Sequence, residues 1–519
     1  SIDIFGRIYK EITLNYVDEV DPEKFMEAGI DGLLGTLDPY TSFIDEKEGD
    51  EVELLTTGKY GGVGITIGLR DGYITVITLM EGYSAQRQGL QPGDRIIKVD
   101  GKSIIGYQPE DVRSMTRGEP GTAVHLTIER EGEEKPLEFV LVREEIQLKN
   151  ITYSDFVEKG IAYIRLERFA RGAGDELRLS IKDLRLKDTT RAVILDIRDN
   201  PGGLLDVAVD VAAKFLPNGS LIVSTRGRKP ESEKKFYASE EPMLPDVPLV
   251  VLVNRNSASA SEIVAGAVQD LDRGIILGTR TFGKGLVQTV VPLVYNTQLK
   301  ITTAKYYTPS GRSIQEIDYM HKTKDGVFTT TPDSLKKKFR TSKGRIEYEL
   351  GGIHPDTVVS EPEHSVLYNE LFRKSMFFKF VTRYVSQHRE LPSPFTPDDT
   401  LLHSFKQFLS DQQFTYQEEG EKKIDELREL AKKSNYDDTI LEEIDQLKKK
   451  FGDEKINSIE RNQKEILTVL KTEIMSRYKG ERGRIETSLV DDPQINAAKG
   501  LLANPVEYTR RLSYREGDE

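Results

Sequence analysis

The chain has 519 residues, a formal net charge of −13 and neither cysteine nor tryptophan. Its length predicts three or four domains, and its acidity argues against nucleic acid or an anionic membrane surface as the main partner. Without cysteine there is no thiol catalysis, no disulfide and no Cys-ligated metal, which suits a compartment where stray oxidation is a hazard.

No signal or transmembrane stretch is visible, and a start at Ser1 rather than Met reads as a trimmed or mature form. Near the start, Leu37-Asp-Pro-Tyr-Thr-Ser42 reads as a turn. From Tyr60 to Arg143 the chain shows short alternating strands such as Gly72-Tyr-Ile-Thr-Val-Ile77, with turn signals at Gln91-Pro-Gly-Asp94 and Asp100-Gly101. Within it, Gly62-Val63-Gly64-Ile65, Ser84-Ala-Gln-Arg-Gln-Gly-Leu90 and Gly93-Asp-Arg-Ile-Ile-Lys-Val-Asp-Gly101 resemble a PDZ domain. The resemblance implies that a peptide adds to a sheet edge as an extra strand. Its terminal carboxylate is then held by backbone amides of the Gly62, Val63, Gly64 and Ile65 loop. A dinucleotide site does not fit, because Gly62, Gly64 and Gly68 have the wrong spacing and no helix follows.

Further on, Ala192-Val-Ile-Leu-Asp-Ile-Arg198 predicts a buried strand running into Asn200-Pro-Gly-Gly203, with Val207, Val211 and Phe215 continuing as a helix. Glycines there let backbone amides approach a substrate without a Cβ in the way. Taken alone, the segment is an ordinary strand-to-helix turn.

Leu249-Val-Val-Leu-Val253 predicts the next buried strand, and Ser261 to Asp270 has helical periodicity with alanine and valine on one side. The serine-rich segment between them, Asn256-Ser-Ala-Ser-Ala-Ser-Glu262, therefore sits at a strand-to-helix turn. Such a turn by itself is an N-cap more often than a nucleophile. Its unpaired first amides can nevertheless stabilise an oxyanion beside a hydroxyl. Physics alone leaves Ser257, Ser259 and Ser261 as equal candidates.

A hydroxyl needs a base, and none of the six histidines falls in a recognisable pairing with these serines. Lys284, in Phe282-Gly-Lys-Gly285 between the apolar strands Ile275-Ile-Leu277 and Leu286-Val287, fits better. A free lysine of pKa ~10.4 is neutral in about one molecule in 2,500 at pH 7. Burial must lower it by roughly 3 units, worth about 4 kcal/mol, and desolvated lysines reach such shifts. A rival exists, because Gly278 to Lys284 matches the first seven positions of a phosphate-binding P-loop. Its eighth position is Gly285 rather than Ser or Thr, and a strand follows instead of a helix, so the nucleotide reading fails.

After the lysine come Tyr307-Thr-Pro-Ser-Gly-Arg-Ser-Ile-Gln315 and Gly351-Gly-Ile-His-Pro-Asp356. Ser334-Leu-Lys-Lys337 has a Ser-x-x-Lys spacing but lies in a lysine run and reads as solvated surface. Asn150-Ile-Thr152 and Asn218-Gly-Ser220 match a glycosylation pattern. Beyond residue 360, composition shifts to Glu, Lys, Leu and Ile. Ile424, Leu427, Leu430 and Ala431 share one helix face, Ile440, Ile444 and Leu447 a second, and Ile459, Ile466, Leu470 and Ile474 a third. Three such stripes predict a bundle, packed on the core or on another subunit.

The motifs Ser-Ala-Ser-Ala-Ser-Glu and Phe-Gly-Lys-Gly, with Leu37 to Ser42 and Tyr307 to Gln315, closely resemble the carboxyl-terminal processing (tail-specific) proteases over most of residues 1–360. The resemblance implies a multidomain α/β fold. Its Ser-Lys core would be like that of crotonases and the Clp protease subunit, with an inserted PDZ domain and a C-terminal α-helical domain. The expected boundaries are 1–59 for an N-terminal helical segment, 60–145 for the PDZ domain, 146–360 for the protease core and 361–519 for the helical domain. Ser259 would be the nucleophile, Lys284 the base and Gln288 the group orienting its amine. Asp270 would be a supporting acid, and the amides of Ala260 and of Gly202 or Gly203 the oxyanion hole. The implied activity is endoproteolysis near protein C-termini, without metal, nucleotide or other cofactor. Implied partners are proteins or peptides with free C-termini, with room for an adaptor protein and for a homo-oligomer through the helical tail. The implied place is the bacterial cell envelope, in the periplasm. The competing reading is a PDZ-bearing scaffold that no longer cuts. Intact Ser259, Lys284 and Gln288 argue against it, since a retired site has no reason to keep a costly buried amine.

Overall fold

The computed structural model describes residues 2–45, 53–54, 56–322, 328–391 and 395–513. The chain divides into two compact units, one of Ser1–Lys59, Gln147–Glu361 and Pro493–Glu519, the other of Tyr60–Ile146 and Pro362–Asp492.

The first unit is built on a six-stranded sheet in the order Ile151–Glu158, Ile161–Leu166, Ala192–Asp196, Leu249–Val253, Ile275–Gly278 and Thr357–Val358. Its first pair is antiparallel and the rest are parallel. Ala192–Asp196, Leu249–Val253 and Ile275–Gly278 are buried along their whole lengths, the mark of parallel strands covered on both faces. The connecting helices Ala173–Lys187, Leu205–Ala213 and Ala260–Asp270 share one apolar core with them. All 11 residues of the last helix are buried. A close approach makes room for glycine there, since a Cβ on Gly266 would lie 2.9 Å from Thr308 Cγ2.

A second, antiparallel sheet runs Ser42–Ile44, Gln298–Tyr307, Leu221–Gly227 and Lys234–Tyr237, with Leu286–Pro292 also paired to Gln298–Tyr307. The last described helices, Pro493–Leu502 and Pro505–Arg511, return to this unit. Gln494 accepts from Arg198 at 3.0 Å and donates to the Val359 carbonyl at 2.8 Å. The Tyr508 hydroxyl bonds both main-chain groups of Leu249. The tail beyond residue 360 is therefore shared between the two units.

In the second unit, residues 65–142 form a six-stranded antiparallel sheet with its own core around Val76, Val99, Leu126 and Ile128. The helical part differs from the expected bundle of three stripes. Glu419–Lys433 and Asp438–Ile456 pack on each other through Ile424, Ala431 and Ile444. The third stripe, Ile466, Leu470 and Ile474, packs on Val366–Arg373, Met376–Gln387 and Asp399–Asp411 instead. Phe377, Phe380, Phe405 and Phe408 lie in the same apolar cluster, and large aromatic rings of this kind offer the helix Gln463–Leu489 a broad surface to pack on. Lys379 pairs with Asp71 at 2.7 Å, joining the helices to the small sheet. No helix among the described residues is long and apolar enough to cross a membrane.

Candidate active site

Three neighbouring parallel strands end at one edge of the large sheet, and the chain leaving each supplies one part of the site. Ala192–Asp196 leads to the Asn200–Gly203 loop, Leu249–Val253 to the serine turn, and Ile275–Gly278 to the lysine loop. Ligands bind beyond the carboxyl ends of such strands because the connecting loops cluster there.

The three serines differ in what their hydroxyls do. Ser257 and Ser261 are fully buried and donate to the carbonyls of Ile197 and Asn200, each at 2.8 Å. Ser259 alone of the three is partly exposed. It sits at φ 53°, ψ −111°, a conformation costly for any residue with a Cβ, immediately before the helix. A substrate can reach this hydroxyl and neither of the others.

Glu262 ties the serine turn to the lysine loop. Its buried carboxylate accepts the N–H of Ser259 at 2.8 Å, of Gly283 at 2.8 Å and of Lys284 at 2.9 Å, and the hydroxyl of Thr281 at 2.6 Å. Burial pushes this carboxyl up to about 7, with the four donors pulling it back. Glu262 is not among the site residues expected from the sequence. The Ser-x-x-Glu spacing of a capping box was the available signal.

A second tie comes from Tyr306, a fully buried residue of the strand Gln298–Tyr307. Its hydroxyl lies between the carbonyl oxygens of Ser259, at 3.1 Å, and Lys284, donating to one at a time. Nothing local in the sequence marks it.

The Asn200–Gly203 loop is pinned against the serine turn. Asn200 is buried, its side chain donating to the Leu166 carbonyl and its own carbonyl accepting from Ala258 at 3.1 Å. The Gly202 amide is spent on Asn200 Oδ1 at 2.9 Å. A Cβ on Gly202 would lie 2.8 Å from the Ala260 nitrogen and 2.9 Å from Ser259 Cβ. Glycine at 202, with φ 102°, therefore keeps open the space beside the first helical amide. Among the described residues no hydrogen bond uses the N–H of Ala260 or of Gly203.

Lys284 is half-buried between Gly283 and Gly285, while Phe282 is exposed. Desolvation lowers the pKa of its amine and Lys300 adds to the effect, against Glu262 and Asp38, which favour the charged form. The ammonium stands over the ring of Tyr40, 4.2 Å from its centroid. The amide of Gln288 donates to Thr302 Oγ1 at 3.2 Å, and that hydroxyl donates on to Asp38 at 3.1 Å. Gln288 thus reaches the turn that carries Tyr40, and its amide bonds Thr302 rather than the lysine amine. Asp270 lies at the opposite end of the serine helix from Ser259. There it pairs with buried Arg312 at 2.8 Å and accepts the Ser310 amide at 3.0 Å, holding the Tyr307–Ser313 turn.

In the second unit, the strand Ile65–Arg70 is the outermost of its sheet, so its outer edge can accept a peptide strand. Val63 is buried in that domain's core, and Gly64 has φ 80° with its carbonyl accepting from Met80.

The sequence profile of Peptidase family S41 matches residues 160–323, that of the PDZ domain residues 75–130, and that of the probable PDZ-protease C-terminal helical domain residues 367–502. A carboxy-terminal-processing protease of Bartonella bacilliformis is 39% identical over 382 residues, 71% of this chain and 87% of that protein. A probable CtpA-like serine protease of Staphylococcus haemolyticus is 31% identical over 450 residues, 84% of this chain and 82% of that protein. Among solved structures, a photosystem II D1 C-terminal processing protease is similar at 26% identity, covering 68% of this chain and 86% of that one with a TM-score of 0.37.

Proposed function

The chain belongs to peptidase family S41 and is a serine-type carboxy-terminal-processing protease, and from that premise we propose that Ser259 is its nucleophile and Lys284 its general base. The observation that carries this reading is the shared Glu262 carboxylate, which fixes the main chain of both residues in one constellation.

In the acylation step the neutral Lys284 amine takes the Ser259 Oγ proton as Oγ bonds to the scissile carbonyl carbon. The oxyanion that forms is received by the amides of Ala260 and Gly203, while Gly202 leaves the space for it. The ammonium then returns its proton to the leaving amine as the C–N bond breaks. Water, deprotonated by the same amine, hydrolyses the ester and restores Ser259. Gln288 acts at one remove, through Thr302 and Asp38.

The PDZ domain supplies selectivity for protein tails, with the Gly62–Ile65 loop receiving the terminal carboxylate and the Ile65–Arg70 edge pairing with the preceding residues. The full chain should bind a peptide with a free carboxylate at least about ten-fold more tightly than its amide, since a charged hydrogen-bonded group is lost in the latter. The work of such an enzyme lies in the bacterial cell envelope, on periplasmic proteins.

The deciding experiment is cleavage of a dye-labelled unfolded protein by wild type, Ser259→Ala and Lys284→Ala between pH 6 and 10. Loss of activity in both variants is expected. Cleavage surviving Ser259→Ala moves the nucleophile elsewhere, and cleavage by none of the three returns the scaffold reading.

A further inference from the structure

The segment Asp38-Pro-Tyr-Thr41 is far from the lysine in sequence, yet it is built as a rigid turn against it. Asp38 Oδ1 accepts the N–H of Tyr40 at 2.9 Å and of Thr41 at 3.0 Å, and also the Thr302 hydroxyl of the neighbouring strand. Its other oxygen accepts the Thr41 hydroxyl at 3.1 Å. Thr41 Oγ1 in turn accepts the Thr302 amide at 3.2 Å. The Tyr40 ring is itself held by a neighbouring ring. Tyr319 meets it edge to face at 5.8 Å, with the two hydroxyls 3.2 Å apart. So much anchoring serves no apolar core, because Tyr40 remains partly exposed. What the fixed ring does present is a π face, to the Lys284 ammonium 4.2 Å away.

Resting on the Ser-Lys reading above, we propose that Tyr40 is a positioning residue for Lys284. Its ring face holds the ammonium in the resting enzyme and sets the pH at which the amine is released to act as a base.

The attraction of a ring face for a lysine depends on the positive charge. While the amine is protonated, the ring favours it where it stands. When the proton passes to bulk water the attraction vanishes, and the neutral amine is free to turn to the Ser259 hydroxyl. Release and competence as a base are thus one event. The other groups bearing on the amine are Lys300 on the strand Gln298–Tyr307, Glu262 on the serine helix and Asp38 in the turn. Burial is the largest influence on the amine, and an apolar replacement at position 40 keeps it along with the charges of these three groups and the Tyr40 main-chain bond to Asp38, so the contribution of the ring face is what changes.

The experiment is the pH profile of kcat/KM for dye-labelled casein in wild type, Tyr40→Phe and Tyr40→Leu, with Lys284→Ala alongside. Leucine keeps apolar bulk and removes the π face. Its ascending limb should move to lower pH by about half to one unit, from the usual strength of a partly buried cation–π pair. Phenylalanine keeps the face and should keep the wild-type limb, although it loses the hydroxyl contact with Tyr319. A limb that stays put or rises in Tyr40→Leu overturns the proposal, as does an equal displacement in Tyr40→Phe. The rate of Ser259 modification by a fluorophosphonate, measured over the same pH range, must show the same displacement without substrate binding. If Tyr40→Leu melts below assay temperature, Tyr40→Met makes the same test. Retention of the limb in Lys284→Ala sinks the Ser-Lys assignment itself. Loss of activity there with unmoved Tyr40 variants sinks only the role of Tyr40.

Discussion

The Tyr306 hydroxyl stands 3.1 Å from the main-chain carbonyl oxygen of Ser259, a residue 47 positions earlier in the chain, and also bonds the carbonyl of Lys284. Together with Glu262, which takes the amides of the same two residues, it clamps Ser259 and Lys284 from both main-chain sides. Backbone groups are fixed here so that the side chains can move without losing their mutual position. Tyr306→Phe keeps the packing of a fully buried ring and removes only the clamp. We expect kcat to fall about ten-fold, with KM within two-fold, from the loss of one hydrogen bond and the resulting misplacement of the reacting groups. Steady-state kinetics check this, and an unchanged kcat would remove Tyr306 from the site.

Gly202 is predicted to tolerate no side chain. In Gly202→Ala the new methyl would lie 2.6 Å from the Ala258 oxygen and 2.8 Å from the Ala260 nitrogen, at a backbone φ of 102°. It blocks one oxyanion donor, and losses of about 10²–10³ in kcat follow from such a block. Binding of a free-carboxylate peptide should be untouched, since the PDZ loop belongs to the other compact unit. Equal loss of peptide binding would point to general misfolding.

Asp270 is predicted to matter for stability rather than chemistry. It is engaged with Arg312, whose side chain is buried and whose Nη1 also lies 3.5 Å from Glu347. Arg312→Leu strands the buried Asp270 carboxylate and should cost about 3–5 kcal/mol in urea denaturation. Asp270→Asn should destabilise in the same assay while retaining kcat within about three-fold below its melting temperature, since Asp270, with its partners Ser310 and Arg312, lies at the opposite end of the serine helix from Ser259. A collapse of kcat in a folded Asp270→Asn protein would place it back in the reaction.

The pH dependence of stability has a definite sign. Burial raises the carboxyls of Glu262 and Glu347 from 4.5 to about 7. Between those values the folded protein holds more protons than the unfolded chain, so stability falls as pH climbs through that window and levels off above it. Asp196, buried but held below 3.8 by Arg198 and Arg165, acts in the opposite sense only at more acid pH. Denaturation midpoints should therefore drop from pH 5 to 7.5, and less steeply in Glu347→Gln, which cannot ionise. A midpoint that rises across this window would contradict the assignment.

The sequence by itself determined the strands, because runs such as Leu249–Val253 are apolar at every position and only a strand covered on both faces buries all of them. It also determined that serine, lysine and glycine turns follow successive strands, since glycines and small residues punctuate the pattern locally. Local physics did not distinguish Ser257, Ser259 and Ser261, which have near-identical neighbours, and only the family resemblance pointed to Ser259. In the structure that choice rests on the carbonyls of Ile197 and Asn200, which consume two hydroxyls from a loop about sixty residues away. The partners of Lys284 were equally hidden. Glu262 carries a motif position but no visible role, and Tyr40 and Tyr306 approach from remote segments. In the tail, periodicity marked helix faces but not which faces meet, because an apolar stripe is satisfied by any sufficiently large apolar neighbour. Local spacing thus fixed which groups the chain offers for chemistry. Parallel pairing of three strands, by bringing their loops to one edge, decided which of them act together.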